Sequence, residues 1–273
     1  MRILQRVSAV TMLNPEECSL LAKTNQCSAL KALFDTLKDL LEDACLEFDH
    51  DGVRLVSPDS THIAMVHLRL DADSFEEFHC PRPVAVGINI TRLFKLIKSV
   101  SSSDTLTFFV DSNHVTSLGL RVESGERRTN TTFKIGMMDI SPIKIDLPPI
   151  ECDSCISLSS TDLQKIIRDM SSIADRVEVT NTKDQLKLAC SGDFCSQETV
   201  LEESNKFSSS MLMNANIIQG VFSLSYLAIF CKCSALCPAV EINLRNDWPI
   251  IFRYTVAALG ELKLCLSPMC DGA

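Results

Sequence analysis

The feature of this sequence that most constrains its fold is a pattern of helices and strands that occurs twice. In the first half, apolar residues at helical spacing predict helices over residues 28–41 and 90–100. In the second half, the same spacing predicts helices over residues 159–172 and 223–233. The two members of each pair are almost equally far apart, and strand-like segments follow each helix. The sequence therefore predicts an α+β fold made of two similar domains, each with two helices packed on antiparallel sheets.

The predicted strands alternate apolar and polar residues, as half-buried strands do. They cover residues 45–48, 53–57, 62–70, 106–110, 116–122 and 131–137, and then 176–181, 185–191, 198–202, 239–244, 250–256 and 261–266. Between the halves, residues 138–149 contain three prolines, which exclude a helix or a central strand and predict an extended surface connector. We therefore expect an N-terminal extension (1–19), a first domain (20–137), a connector (138–153) and a second domain (154–273).

The segment from residue 58 to residue 68 joins a turn to a strand with an unusual outer face. Asp59, Ser60 and Thr61 favour a tight turn, because such side chains bond nearby backbone groups. The inner face of the strand is expected to be Ala64, Val66, Leu68 and Leu70. On the outer face, Ile63 and Met65 form an apolar pair that is followed by polar residues. Such a pair is either covered by a loop of the same chain or part of a surface that binds a partner.

The distribution of charge points to a restricted contact with nucleic acid. The net charge is −9, which for the whole chain argues against nucleic-acid binding. The polar faces of the predicted helices nevertheless carry the bases Lys31, Lys38, Arg92, Lys95, Lys98, Lys165, Arg168 and Lys232. No aromatic residue interleaves these bases, so contact with the phosphate backbone is expected and base stacking is not. The alternative is an ordinary solvated helix face.

Two other chemical readings are weaker. Asp59, Ser60 and His62 offer the residue types of a hydrolase triad, but they share one turn and no Gly-x-Ser-x-Gly elbow is present. Zinc could be held by the clusters Cys152–Cys155 and Cys231, Cys233 and Cys237, of which only the first has knuckle spacing. The 13 cysteines are best read as small, reduced residues of an intracellular protein, since no signal peptide or membrane span is apparent.

Several segments together resemble the proliferating cell nuclear antigen family, the sliding clamps of eukaryotic-type DNA replication. They are residues 37–40 with 58–65, residues 133–148 and residues 260–268, in the family's order. The resemblance implies a non-enzymatic homotrimeric ring, without cofactor or metal, whose helices surround duplex DNA. The family's DNA-facing basic positions match all the bases named above except Arg92. Arg92 is included because its helical phase places it on the same face. A subunit of a heterotrimeric checkpoint-type clamp is the nearest alternative, and a cysteine or zinc protein is the alternative from another class.

The same resemblance implies the sites of interaction. Trimer closure would pair edges near residues 128–135 and 195–201, with Phe133, Ile135, Thr199 and Val200 in the interface. Peptides of DNA polymerases, flap endonucleases, DNA ligases and the clamp loader would dock under the connector. That pocket comprises His62, Ile63, Met65, Pro142, Ile145, Asp146, Leu147, Pro148, Pro249, Cys265, Ser267, Pro268 and Met269. Lys183 matches a ubiquitin-acceptor lysine, and the implied location is the nucleus, or a viral replication compartment for a virus-encoded chain.

Overall fold

The computed structural model describes residues 14–126, 128–143, 153–182, 185–202, 207–211 and 217–269. Within them, each half of the chain contains nine strands and two α-helices. The first half comprises β1 (Cys18–Thr24), α1 (Cys27–Leu40), β2 (Asp43–Asp49), β3 (Gly52–Pro58), β4 (Ala64–Asp71), β5 (Glu77–His79), β6 (Val84–Asn89), α2 (Ile90–Ile97), β7 (Thr105–Asp111), β8 (Ser117–Ser124) and β9 (Thr129–Gly136). The second half comprises β10 (Ser154–Ser159), α3 (Ser160–Ser171), β11 (Arg176–Thr182), β12 (Gln185–Ser191), β13 (Ser196–Glu202), β14 (Phe207–Met211), β15 (Ile217–Ser223), α4 (Leu224–Phe230), β16 (Ala239–Leu244), β17 (Ile250–Val256) and β18 (Gly260–Leu266). The predicted repeat of one α+β unit is confirmed.

The strands form three antiparallel sheets, and the largest joins the two halves. The order β5-β1-β7-β8-β9 lies in the first half, and β13-β12-β11-β15 lies in the second. The nine-stranded sheet has the order β14-β10-β16-β17-β18-β4-β3-β2-β6, so β18 of the second half pairs with β4 of the first. This pairing runs from Gly260 opposite Leu70 to Leu266 opposite Ala64. The two domains are therefore held together by a continuous backbone hydrogen-bond ladder.

The helices and the nine-stranded sheet share one apolar core. Helix α1 buries Leu30, Leu33 and Leu37 completely or almost completely, as its helical spacing predicts. The same buried cluster includes Leu68 of β4 and Leu264 of β18, which come from different halves of the chain. Replacing one such leucine by alanine typically costs about 2–5 kcal/mol of stability. None of the described helices is long and apolar enough to cross a membrane.

Several predicted boundaries differ from the structure for local reasons. The strand predicted from His62 begins at Ala64, because His62 takes a left-handed backbone conformation with φ of 58°. The helix predicted to reach Val100 ends at Ile97, and at its start the side chain of Asn89 accepts a hydrogen bond from the backbone N–H of Arg92. The fourth predicted helix is only seven residues of α-helix, α4, followed by a 3₁₀ helix over Cys231–Ala235.

Six strands escaped the sequence analysis, namely β1, β5, β6, β10, β14 and β15. In β1, the consecutive residues Leu20, Leu21 and Ala22 are all buried, so the strand has no apolar–polar alternation to detect. Strand β5 has only three residues, which is too short for a periodic signal. Cys18 and Ser19, which were assigned to the N-terminal extension, belong to β1 and hence to the first sheet.

A glycine at the start of β3 provides a test of how closely β3 packs against β4. Gly52 has φ of 140°, and a Cβ atom there would overlap the carbonyl oxygen of Leu70 on β4. We expect Gly52→Ala to lower the free energy of unfolding by about 2 kcal/mol or more. Gly125→Ala is the matched control, because nothing lies within 4 Å of the added methyl group. Urea denaturation of both variants is the measurement, and equal effects at the two sites would contradict the packing described.

Candidate functional sites

The helices form a single row on which the predicted bases are presented. Helix α1 packs against α2 on one side and against the 3₁₀ helix Cys231–Ala235 on the other, and that 3₁₀ helix packs against α3. Side chains connect these elements: Lys38 of α1 lies 5.1 Å from the ring centroid of Phe94 on α2. On the other side, Gln164 of α3 donates to the carbonyl of Cys231 at 3.1 Å. The row therefore crosses from the first half of the chain to the second.

Most of the predicted bases are exposed on this row. Among the described residues, no ion pair involves Arg92 or Lys95 of α2, Lys98 directly after it, or Lys165 of α3, and all four are exposed. Arg168 of α3 is also exposed, and its ion pair within the described chain, with Asp169, is long at 3.8 Å. Exposed bases on α2 and α3, near the two ends of the row, can contact a polyanion without reading its sequence.

The remaining bases already have partners within the chain. Lys31 lies 3.4 Å from the carbonyl oxygen of Val100. Lys38 contacts the carboxylates of Asp35 at 2.9 Å and Asp39 at 3.1 Å, and Lys232 also binds Asp39. Burial lowers the pKa of Lys38, but these two carboxylates outweigh burial and raise it. Lys232 lies in the 3₁₀ helix, not in the α-helix that the sequence predicted.

The edges expected to join subunits are open edges of two different sheets. Strand β9 is the outer strand of the five-stranded sheet, and β13 is the outer strand of the four-stranded sheet. Phe133, Ile135 and Thr199 are half-buried there, and the side chain of Val200 is 41% exposed. Phe194, which the sequence analysis missed, is 77% exposed in the turn that leads into β13. An aromatic residue in a polar turn, next to Gly192 and Asp193, was the signal available in the sequence.

The turn before β4 is organised by the buried carboxylate of Asp59. One carboxylate oxygen accepts from the backbone N–H groups of Ile63 at 2.9 Å and Ala64 at 2.8 Å. The other accepts from the backbone N–H and hydroxyl of Thr61, at 3.1 and 2.5 Å, and from the hydroxyl of Tyr226 at 2.6 Å. Burial raises the pKa of Asp59, but these donors outweigh burial and lower it to about 2. This carboxylate is engaged in holding the turn, which removes it from the triad considered above.

Tyr226 makes this turn a contact between the two halves of the chain. Its hydroxyl lies 2.6 Å from the carboxylate of Asp59 and 2.7 Å from the hydroxyl of Thr61. Because Tyr226 lies on α4, the loop that presents His62 and Ile63 is fixed against the second domain. No local pattern in the sequence points to Tyr226, because the turn that it contacts precedes it by more than 160 residues.

Strand pairing brings four described residues of the predicted peptide pocket close together, namely Ile63, Met65, Cys265 and Ser267. Met65 of β4 lies opposite Cys265 of β18, and the backbone N–H of Ser267 donates to the carbonyl of Ile63 at 3.0 Å. Ile63 is 43% exposed and Met269 is 41% exposed, so both remain accessible. Cys265 is buried, and burial raises the pKa of its thiol to about 11. His62 is exposed, whereas Pro142, Pro249, Ser267 and Pro268 are half-buried.

A groove of about 960 Å³ continues from the end of β18 over the second domain. Pro268 and Met269 form one of its walls, and Trp248, which is 44% exposed, forms part of another. The guanidinium of Arg245 lies 4.8 Å from the centroid of the Trp248 ring. Trp248 was also missed by the sequence analysis, although it stands directly before the predicted pocket residue Pro249.

Some predicted residues lie outside the described part of the chain. They are Ile145, Asp146, Leu147 and Pro148 of the connector, Lys183, and Cys152 of the first cysteine pair. In the second cysteine cluster, burial raises the pKa of the Cys231 and Cys233 thiols to about 12. Both residues are buried, and among the described residues they belong to no group of three potential metal ligands, which favours a role as small core side chains.

Comparison with known proteins finds relatives that match most of the chain. The family model for the N-terminal domain of proliferating cell nuclear antigen matches residues 19–143, and the model for its C-terminal domain matches residues 146–269. A probable DNA polymerase sliding clamp 1 of Paramecium bursaria Chlorella virus 1 is 34% identical over 251 residues, covering 90% of this chain and 95% of that protein. The proliferating cell nuclear antigen of Chaetomium thermophilum is 31% identical over 254 residues, covering 90% of this chain and 96% of that protein.

The low pKa of Asp59 predicts how acid affects the chain. The folded-state pKa, about 2, lies below the ordinary value of 3.8, so this carboxylate stabilises the fold above pH 3.8 and loses that contribution as the pH falls through 2. The shift corresponds to about 2 kcal/mol. We expect Asp59→Asn to lose about that much stability at neutral pH and the deficit to shrink between about pH 4 and pH 2.

Chemical denaturation as a function of pH measures this effect. Asp73→Asn is the control, because Asp73 is an exposed aspartate of the same domain. It should change stability by less than about 0.5 kcal/mol at every pH. A deficit in Asp59→Asn that stayed constant down to pH 2 would show that its ionised carboxylate is not the stabilising group.

Proposed function

This chain belongs to the proliferating cell nuclear antigen family and is a DNA sliding clamp, not an enzyme; we propose that it encircles duplex DNA as a ring of three identical subunits. The observation that carries the proposal is the row of helices with free bases on a chain whose net charge is −9. Positive charge is concentrated where a ring would face DNA, while the acidic remainder disfavours DNA contact elsewhere.

The DNA contact we propose is loose and independent of sequence. Arg92, Lys95, Lys98, Lys165 and Arg168 are exposed and long, so they can reach phosphates without fixing a register. Lys31, Lys38 and Lys232 would contribute less, because groups of the protein already bind them. Retention on DNA would then come from the closed ring, and the helices would only guide the duplex.

Ring closure in this proposal joins β9 of one subunit to β13 of the next. Both strands leave backbone N–H and C=O groups on one side without a neighbouring strand in the described chain. Edges of this kind are prone to uncontrolled pairing unless something covers them, and each would cover the other in a ring. Phe133 and Ile135 on one edge, with Phe194 and Val200 on the other, supply the apolar contact.

The mass of the assembly tests this arrangement. We expect purified protein to scatter light as a particle of three times 30.2 kDa at micromolar concentration. Phe194→Ser combined with Val200→Lys should shift the mass toward one subunit, because it removes apolar area and places a charge at the edge. Val115→Ser, which changes another exposed apolar residue, should leave the trimer intact. A wild-type monomer would contradict the proposal and would favour a subunit of a heterotrimeric clamp.

We also propose that replication and repair proteins dock at the surface around Ile63. Its support is the apolar character of the exposed residues Ile63, Ile143 and Met269, together with the rigid turn that Asp59 holds. Short peptides with a hydrophobic plug, from DNA polymerases, flap endonucleases, DNA ligases and the clamp loader, are the proposed occupants. Ile145, Asp146, Leu147 and Pro148 complete the proposed pocket by resemblance.

The affinity for a partner peptide tests whether this surface is the docking site. Ile63→Ser with Met269→Ser should weaken binding of a fluorescent peptide from a clamp-binding DNA polymerase by about tenfold or more. The reason is that the two apolar side chains that the bound peptide would cover are lost. Fluorescence anisotropy gives the affinity, and light scattering should show an unchanged trimer. Val115→Ser again serves as the control. Unchanged affinity in the double variant would rule out this pocket.

The proposed place of action is a site of DNA replication. The relatives of this chain include one viral and one eukaryotic protein. They support a location in the nucleus, or in a viral replication compartment if a virus encodes the chain. Lys183 remains a proposed acceptor for ubiquitin.

A further inference from the structure

Asp39 is an acidic residue in the middle of the basic helix row. Its carboxylate lies 3.1 Å from the ammonium of Lys38, which is its neighbour on α1. It also binds the ammonium of Lys232, which belongs to the second half of the chain. One carboxylate therefore pairs with two of the bases that the sequence assigns to DNA, at the junction of the two domains.

The pairing is close enough to neutralise much of the local positive charge. Asp35 adds a second carboxylate, 2.9 Å from Lys38. The side chain of Asp39 is 27% exposed and that of Lys232 is 47% exposed, so water and ions still reach the group. Burial raises the pKa of Asp39, but Lys232 and Lys38 outweigh burial and lower it, which keeps the carboxylate ionised at neutral pH.

We propose that Asp39 is a counter-ion built into the DNA-facing surface, which competes with DNA phosphates for Lys38 and Lys232 and so weakens the hold of the clamp on DNA. This inference rests on the proposed function. Asp39 acts through the two lysines and does not touch DNA, so it is a positioning residue. Exposed ion pairs such as these contribute only about 0–1 kcal/mol to stability, so stability alone does not account for an acid in this position.

The arrangement divides the row into regions with different behaviour toward phosphate. Arg92, Lys95, Lys98 and Lys165, which have no ion pair within the described residues, can exchange small counterions for phosphates. Lys38 and Lys232, at the domain junction, must first break their ion pairs with Asp39, so each gains less binding free energy from a DNA phosphate. A duplex passing through the ring would then meet strong and weak contacts in alternation, which favours movement over fixed binding.

Salt dependence of DNA binding is the direct test. Each phosphate newly neutralised adds about 0.9 to the slope of log affinity against log salt. If Asp39→Asn frees Lys232 to contact one phosphate, lowering the salt from about 200 to about 50 mM should raise its affinity for a labelled linear duplex about 3.5-fold more than it raises that of wild type. Fluorescence anisotropy of the intact trimer gives both slopes.

Matched variants distinguish the counter-ion from simpler effects. Glu42→Gln removes the same charge just beyond the end of α1, where the described structure shows no base bound to the carboxylate, and it should keep the wild-type slope. Asp39→Glu keeps a carboxylate and should also keep the wild-type slope. Lys232→Gln added to Asp39→Asn should abolish most of the extra slope, because it removes the base that Asp39 released. Thermal melting and light scattering exclude loss of fold or assembly.

The outcomes separate this inference from the function on which it rests. A slope for Asp39→Asn equal to that of wild type or Glu42→Gln would overturn the inference, and a shallower slope would mean that Asp39 orients the lysines toward DNA. Lys95→Glu with Lys98→Glu tests the basic row itself and should make the slope clearly shallower. If that double variant kept the wild-type slope, the proposed DNA-facing surface would be wrong, whatever Asp39 does.

Discussion

The pairing of β4 with β18 is the interaction on which the rest of the structure depends. It fuses strands from both halves of the chain into one nine-stranded sheet, and one apolar core extends across the fused sheet. The same register sets Met65 opposite Cys265 and brings Ser267 to the backbone of Ile63. The helices of both halves consequently stand in one row. One strand pairing therefore produces both the basic surface and the apolar surface. Each of these surfaces combines residues from the two halves of the chain.

Two aspartates show how the size of a residue's contribution to stability distinguishes a structural charge from a functional one. Asp59 is buried, and its donors are fixed backbone N–H groups and hydroxyls, so its ionised form stabilises the fold by about 2 kcal/mol. Asp39 is partly exposed and pairs with flexible lysines, an arrangement that contributes about 1 kcal/mol or less. The first holds a loop in place whatever is bound. The second contributes so little to stability that its main consequence lies in what the lysines are free to contact.

The sequence predicts the repeat, the helices and most strands because their signals are local. Helical spacing in α1 and the capping residue Asn89 each depend on neighbours within a few positions. The sequence does not reveal β1, whose consecutive buried residues lack alternation, or the contact of Tyr226 with Asp59, which joins distant positions. The bases can be identified from helical spacing, and most of them are exposed in the structure, but their partners within the chain are not visible in the sequence. Asp39 is one residue from Lys38 in sequence, yet its contact with Lys232 exists only after the domains meet.

The order of strands in the nine-stranded sheet has a consequence for synthesis of the protein. Strand β18 follows every other described strand in the chain, yet it pairs with β4, which is among the first to leave the ribosome. Until β18 emerges, the first domain carries an unpaired edge next to the apolar residues Ile63 and Met65. Nascent chains with such edges are open to pairing with one another, and domains that fold during synthesis are exposed to this hazard for as long as translation lasts. The fold thus creates a risk of aggregation during synthesis, at the edge of β4 that β18 later covers when it joins the two domains.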